Sequence, residues 1–234
     1  MAVSLGLPSA VRAQVAPDFP ADTSVLSSHS VTIRGEVVPY EAEVGYQPVF
    51  EDDGTVMAAL HYTFYRRTDV DDAARRPLVV SFNGGPGSGS LWMHIGYTGP
   101  RVLQIDDEGY PIMPYGMKDN PESILDVADI VYVNPANVGF SRLVGDAPRS
   151  EFFGVIADIR FLSDWIRTFV TRKERWSSPK YLIGESYGTT RAAGLARELQ
   201  GSEWLYLNGV ILVSPTGLGV ARQGPVGDAL ILPH

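Results

Sequence analysis

Tyr181-Leu182-Ile183-Gly184-Glu185-Ser186-Tyr187-Gly188-Thr189-Thr190 joins three kinds of sequence in one short run. An apolar triplet suited to a strand buried on both faces leads into Gly-x-Ser-x-Gly, and helix-compatible sequence follows from about Thr189 to Leu199. Placed between a strand and a helix, the pattern describes a sharp, strained turn with a serine at its apex. Its glycines are needed because any side chain two residues before or after the apex would meet the serine. Such a turn lifts Oγ clear of the sheet and sets the following backbone N–H at a helix N-terminus, where it can stabilise an oxyanion. Ser186 is therefore the candidate nucleophile.

Outward from this turn the same grammar repeats. Pro77-Leu78-Val79-Val80-Ser81-Phe82, Asp129-Ile130-Val131-Tyr132-Val133 and Val210-Ile211-Leu212-Val213 are short, almost wholly apolar runs, the signature of parallel strands covered on both faces. Between the second of these and Tyr181 a helix is expected from about Phe153 to Lys173. Its apolar residues Val155, Ile156, Ile159, Leu162, Trp165, Ile166, Phe169 and Val170 recur at spacings of three and four, and Ser177-Ser178-Pro179 stops it. Strand, helix, strand, helix, strand implies a parallel sheet with right-handed crossovers. Upstream, Val31 to Phe50 and Thr55 to Arg66 read as exposed antiparallel strands joined at Glu51-Asp52-Asp53-Gly54, where Asp-Gly accepts a tight hairpin turn. The expected class is α/β: a mostly parallel sheet of α/β-hydrolase type preceded by an antiparallel hairpin.

Asn83-Gly84-Gly85-Pro86-Gly87-Ser88-Gly89 follows the first buried strand, where α/β-hydrolases place the other half of the oxyanion hole. A phosphate-binding reading of this glycine loop lacks the closing Lys-Ser/Thr.

The chain has 234 residues, with 19 Lys+Arg against 27 Asp+Glu and a net charge of −8, which argues against a nucleic-acid partner. It has no cysteine, so disulfides, thiolate metal sites and a cysteine nucleophile are excluded. There is no His/Glu cluster at ligand spacing, so neither metal nor cofactor is expected, and no apolar run is long enough for a transmembrane helix. Residues 1–16 read as an export-signal remnant or a flexible tail: Ala2 to Val11 are small or apolar, Arg12-Ala13-Gln14-Val15-Ala16 offers cleavage-compatible residues, and no basic segment precedes them. The export reading implies a periplasmic or secreted protein; otherwise the protein is cytoplasmic. Residues 17–234 read as one partial α/β-hydrolase domain.

The two glycine motifs together resemble the serine carboxypeptidases, peptidase family S10, and their bacterial branch in particular. Gly99-Pro100, Asn120-Pro121 and Gly139-Phe140-Ser141 match in order and spacing, and the resemblance runs from about Val31 to the last residue. It implies an exopeptidase that removes the C-terminal residue of a peptide through an acyl-enzyme. Ser186 is then the nucleophile, and the N–H groups of Gly85 and Tyr187 form the oxyanion hole. Asn83 and Glu185 bind the free carboxylate of the substrate, with Gly84 holding their loop. Two carboxylates sharing a site resist joint ionisation, so Glu185 must be protonated to donate a hydrogen bond there. The sequence departs from the family at Asn134-Pro135-Ala136-Asn137-Val138-Gly139, where the family has Asp-Pro-x-Gly-Thr-Gly. Asn137 can take the left-handed backbone of the missing glycine, whereas Asn134 and Val138 remove a charge and a hydroxyl.

The fold demands an acid and a histidine after the serine. His29, His61 and His94 precede it; His61 reads as a strand-surface residue, and His94 as one that packs beside Trp92. Asp228 and His234 have the right order but are too close together to lie after separate later strands. The chain is thus expected to be an N-terminal portion, cut before the last strands, that is inactive alone and exposes a sheet edge. The alternatives are another hydrolase of this fold, an esterase or acyltransferase, or a non-catalytic binding fragment.

Overall fold

The computed structural model describes residues 14–15 and 18–215. Among the described residues there are eleven strands: β1 (Gln14–Val15), β2 (Thr23–Ile33), β3 (Glu36–Phe50), β4 (Val56–Arg67), β5 (Leu78–Phe82), β6 (Arg101–Leu103), β7 (Met117–Asp119), β8 (Asp129–Val133), β9 (Arg142–Val144), β10 (Lys180–Glu185) and β11 (Gly209–Val213). The two long helices are α1 (Val155–Arg172) and α2 (Tyr187–Gly201). Nine strands form one sheet in the order β1-β9-β4-β8-β5-β10-β11, with β3 on β4 and β2 on β3; β6 and β7 form a separate pair. β8, β5, β10 and β11 run parallel, and β4 lies antiparallel to β8. This is the mixed, centrally parallel α/β-hydrolase sheet expected from the apolar runs.

The antiparallel part is larger than the sequence suggests. Val31 to Phe50 is not one strand region: Arg34 and Gly35, at φ 47° and 86°, form a hairpin turn that returns the chain along β2, and β2 begins at Thr23. Positive φ at both central residues matches the twist of the flanking strands. The second hairpin closes as expected, with Gly54 at φ 86° and the Asp53 carboxylate accepting the Thr55 N–H at 2.9 Å.

All five residues of β5 and all five of β8 are buried, as continuous apolar runs in a covered sheet should be. On β4, Tyr62 and Phe64 point to α1, where Trp165 and Phe169 stack at 5.2 Å and take the two rings edge-on. Gln47 on β3 donates to the Trp165 carbonyl at 2.9 Å and accepts the Trp165 indole N–H at 3.3 Å, fixing helix to sheet. α2 lies close against α1 because Gly194 faces Ile159, whose side chain occupies the place of any Cβ there. β11 leaves Ile211 and Leu212 each 48% exposed. The first thirteen residues and residues 216–234, on which the leader reading and the Asp228 and His234 pair fall, lie outside the described residues; Gln14–Val15 pair in parallel with Leu143–Val144.

Candidate active site

β10 ends at Glu185 and α2 begins at Tyr187, so Ser186 alone makes the turn, at φ 55° and ψ −124°. A positive φ is uncommon for a residue with a side chain, and here it is held by hydrogen bonds on both sides. The Ser186 N–H donates to the Val213 carbonyl at 3.0 Å. The Ser186 carbonyl accepts from the N–H and hydroxyl of Thr189, at 3.0 and 2.7 Å. The glycines are sterically required, since a Cβ on Gly184 would run into the Gly188 carbonyl and one on Gly188 would lie 2.9 Å from the Asn83 carbonyl oxygen.

The Asn83 loop leaves β5 directly beside this turn. A Cβ on Gly84 would fall 2.6 Å from the Tyr187 nitrogen and 2.8 Å from both the Glu185 carbonyl oxygen and Ser186 Cβ. The two motifs that sequence separates by about a hundred residues therefore touch, backbone against backbone. Gly84→Ala is expected to lower unfolding free energy by about 1–3 kcal/mol, because none of the three neighbours can rotate away. Urea denaturation measures this, and a change under about 0.5 kcal/mol would show that the contact is looser than the structure places it.

Asn83 is buried, and its amide has a single satisfactory orientation. Its Oδ1 accepts the Met93 N–H at 3.0 Å, which turns Nδ2 toward Glu185 Oε2, also at 3.0 Å. Glu185 is partly exposed. The structure thus gathers all six residues singled out from sequence (Asn83, Gly84, Gly85, Glu185, Ser186 and Tyr187) into one small region.

Sequence reasoning missed the support beneath them. Arg191 on α2 is 1% exposed and pairs with Asp158 of α1, Nε to Oδ2 at 2.8 Å. Its Nη1 donates to the Asn83 carbonyl at 2.9 Å. Burial pushes the Asp158 carboxyl above its usual range, with the Arg191 charge pulling the other way. Asn134, the departure from the family pattern, accepts the Ser90 N–H at 2.9 Å and reaches His61 Nδ1 at 3.2 Å, anchoring the far end of the glycine loop. Asn137 adopts φ 58°, the left-handed backbone anticipated for it.

Two histidine readings need correction. His61 is not a plain strand-surface residue: it is half-buried between Phe140 and Tyr46, and burial and Arg142 hold its pKa below the usual value. His94 packs on Tyr132, ring to ring at 4.4 Å, rather than beside Trp92, and bonds the Tyr65 hydroxyl at 2.7 Å. Burial, with a smaller effect from His61, pushes His94 down to about 4, so it is neutral at neutral pH.

The family model described as serine carboxypeptidase, peptidase S10, matches residues 33–212. The chain belongs to the serine carboxypeptidase family. Among serine carboxypeptidase relatives, the pheromone-processing carboxypeptidase KEX1 of Kluyveromyces lactis is 29% identical over 202 residues, covering 83% of this chain and 28% of that protein. Serine carboxypeptidase-like 8 of Arabidopsis thaliana is 23% identical over 170 residues, covering 72% and 37%. The match thus spans well under half the length of these curated relatives. The crystal structure of KEX1(delta)p, a prohormone-processing carboxypeptidase from Saccharomyces cerevisiae, aligns with a TM-score of 0.55 at 17% identity, over 74% of this chain and 38% of that one, a likeness of fold.

Proposed function

We propose that this serine carboxypeptidase family member contributes the nucleophile half of a site that removes C-terminal residues from peptides. Ser186 Oγ attacks the last peptide carbonyl, and the N–H groups of Gly85 and Tyr187 receive the oxyanion. Asn83 and Glu185 take the terminal carboxylate, and the peptide is left as an acyl-enzyme on Ser186. The contact of Gly84 with Ser186 and Tyr187 supports this reading, because it sets the Asn83 loop against the turn that carries the candidate nucleophile and the Tyr187 N–H. An esterase or acyltransferase would use the same elbow, but the Asn83–Glu185 pair favours a substrate that ends in a carboxylate.

Base and acid are a separate matter. Among the described residues no hydrogen bond reaches the Ser186 hydroxyl, and His94 and His61 are committed to Tyr65 and to Asn134. The reading therefore places the activating histidine and its acid outside residues 18–215, and the stretch as described does not turn over alone. The bacterial affinity, the peptide substrate and a periplasmic or extracellular location belong to the same proposal. Among the described residues no helix is long and apolar enough to cross a membrane.

The chemistry of the clamp supplies the test. With Asn83 Nδ2 donating to one Glu185 oxygen, the other oxygen is left to meet the substrate. A terminal carboxylate is ionised above about pH 4. Asn83 and Glu185 then form the contact that tells a free acid from an amide. In the full-length protein Glu185→Ala should lower kcat/KM for a free-acid peptide and lower it less for the matching amide, which carries no such charge. The acid-to-amide ratio cancels any effect the two substrates share. This ratio should drop by at least about tenfold, a loss near 1.4 kcal/mol. An unchanged acid-to-amide ratio would refute the clamp.

A further inference from the structure

Arg191 has no part in the reaction just described, yet it sits under both halves of it. Burying a guanidinium costs several kcal/mol even when it is paired, so its contacts should show what it does. One edge of its fork meets Asp158 twice, Nε to Oδ2 at 2.8 Å and Nη2 to Oδ1 at 3.3 Å. The remaining donors reach the carbonyl of Asn83 at 2.9 Å and that of Pro86 at 3.5 Å. Its plane lies over two rings, Tyr187 at 5.3 Å and Phe82 at 5.6 Å.

These contacts bracket the oxyanion donors. Asn83 and Pro86 flank Gly84 and Gly85, the segment that supplies one N–H, and Tyr187 supplies the other. Gly85 itself is exposed and at φ 107°, so its peptide plane is not fixed by packing from above. A planar cation with five donors can hold two carbonyls and a carboxylate in one fixed geometry, whereas a lysine ammonium cannot span them.

We infer that Arg191, held by Asp158, is a positioning residue that sets the spacing between the Gly85 and Tyr187 N–H groups. This rests on the carboxypeptidase reading and adds to it a residue beneath the site that touches no substrate. Misplacing an oxyanion donor acts on the transition state and little on ground-state binding.

The test uses the full-length protein, with folded active sites counted by fluorophosphonate labelling. Arg191→Lys should lower kcat per labelled site by about 10²-fold, the scale of losing one oxyanion donor, while KM stays within about threefold. Asp158→Asn keeps the volume and releases one edge of the fork, and should lower the same parameter by about tenfold. If Arg191 is only a strut, both variants lose labelled sites and melting temperature, but kcat per labelled site is unchanged. That result, or a loss confined to KM, overturns the inference. Should Arg191→Lys not fold, Asp158→Asn decides alone. A wild-type protein that neither labels nor trims peptides removes the carboxypeptidase reading and the inference with it. An active wild type with unaffected variants removes the inference alone.

Discussion

Ser186→Ala in the full-length protein is expected to lower kcat/KM for peptide trimming by about four to six orders of magnitude, the scale seen when a serine nucleophile is removed. It should do so without lowering the melting temperature. The hydroxyl forms no hydrogen bond among the described residues, and the bonds that hold the turn use the backbone of residue 186. Ser186→Gly separates strain from chemistry. A side chain at φ 55°, ψ −124° sits in a backbone region that costs about 1–3 kcal/mol, and glycine relieves that cost. Against this, glycine gives up about 0.5–1 kcal/mol of unfolded-state entropy. The glycine variant should therefore be as stable as the parent or more stable, by about 1 kcal/mol, and fully inactive. Residual activity within about a hundredfold of wild type in either variant would remove Ser186 as the nucleophile. A glycine variant that melts well below the parent would mean that the turn is not strained.

What sequence discloses of this molecule follows how local the causes are. β5, β8 and β10 are legible to within a residue or so because burial on both faces demands an unbroken apolar run, and β11 carries the same kind of run although it is not covered on both faces. β2 is not: Thr23-Ser24-Val25-Leu26-Ser27-Ser28-His29-Ser30 is polar and mostly exposed, and only its pairing with β3 makes it a strand. The β6–β7 pair is equally hidden, each strand being three residues long with no alternation to read. At the site, the serine turn and the glycine loop are legible because their glycines answer steric demands within a few residues. That the two motifs meet comes from the family resemblance and not from spacing, and the Asn83–Glu185 hydrogen bond is visible only in the structure. Arg191 is the instructive miss. A lone arginine in a helix reads as a solvated side chain, and its burial depends on Asp158 on another helix and on carbonyls of a distant loop, none of which leaves a mark around position 191.

Asp129→Ala is expected to destabilise the protein by about 3–5 kcal/mol, because it strands two buried cations. Asp129 begins β8 and is 1% exposed. Its Oδ1 accepts from Arg76 Nε at 2.6 Å and from the Arg67 N–H at 3.0 Å, and its Oδ2 accepts from Arg175 Nη1 at 2.6 Å. Both arginines are almost as buried as the carboxylate, at 8% and 5% side-chain exposure. Without Asp129 their charges face each other with no counter-ion between them, still tied to the carbonyls of Leu125 and Arg76 and to the Ser178 hydroxyl. Removing all three charges together as Arg76→Met, Asp129→Leu and Arg175→Met should cost less than Asp129→Ala alone, since no charge is then left without a partner. It should not restore full stability, because the Leu125 and Arg76 carbonyls lose their donors. Urea denaturation with unchanged m-values reads both effects, and an Asp129→Ala loss below about 1 kcal/mol would show that water reaches the pair. Asp129 lies at the start of a strand parallel to β5, whose other end carries Asn83 and the glycine loop. Labelling of Ser186 in the full-length variant should therefore track the folded fraction and show no further loss per folded molecule. That separates it from Arg191, whose replacement should depress turnover even in molecules that remain folded.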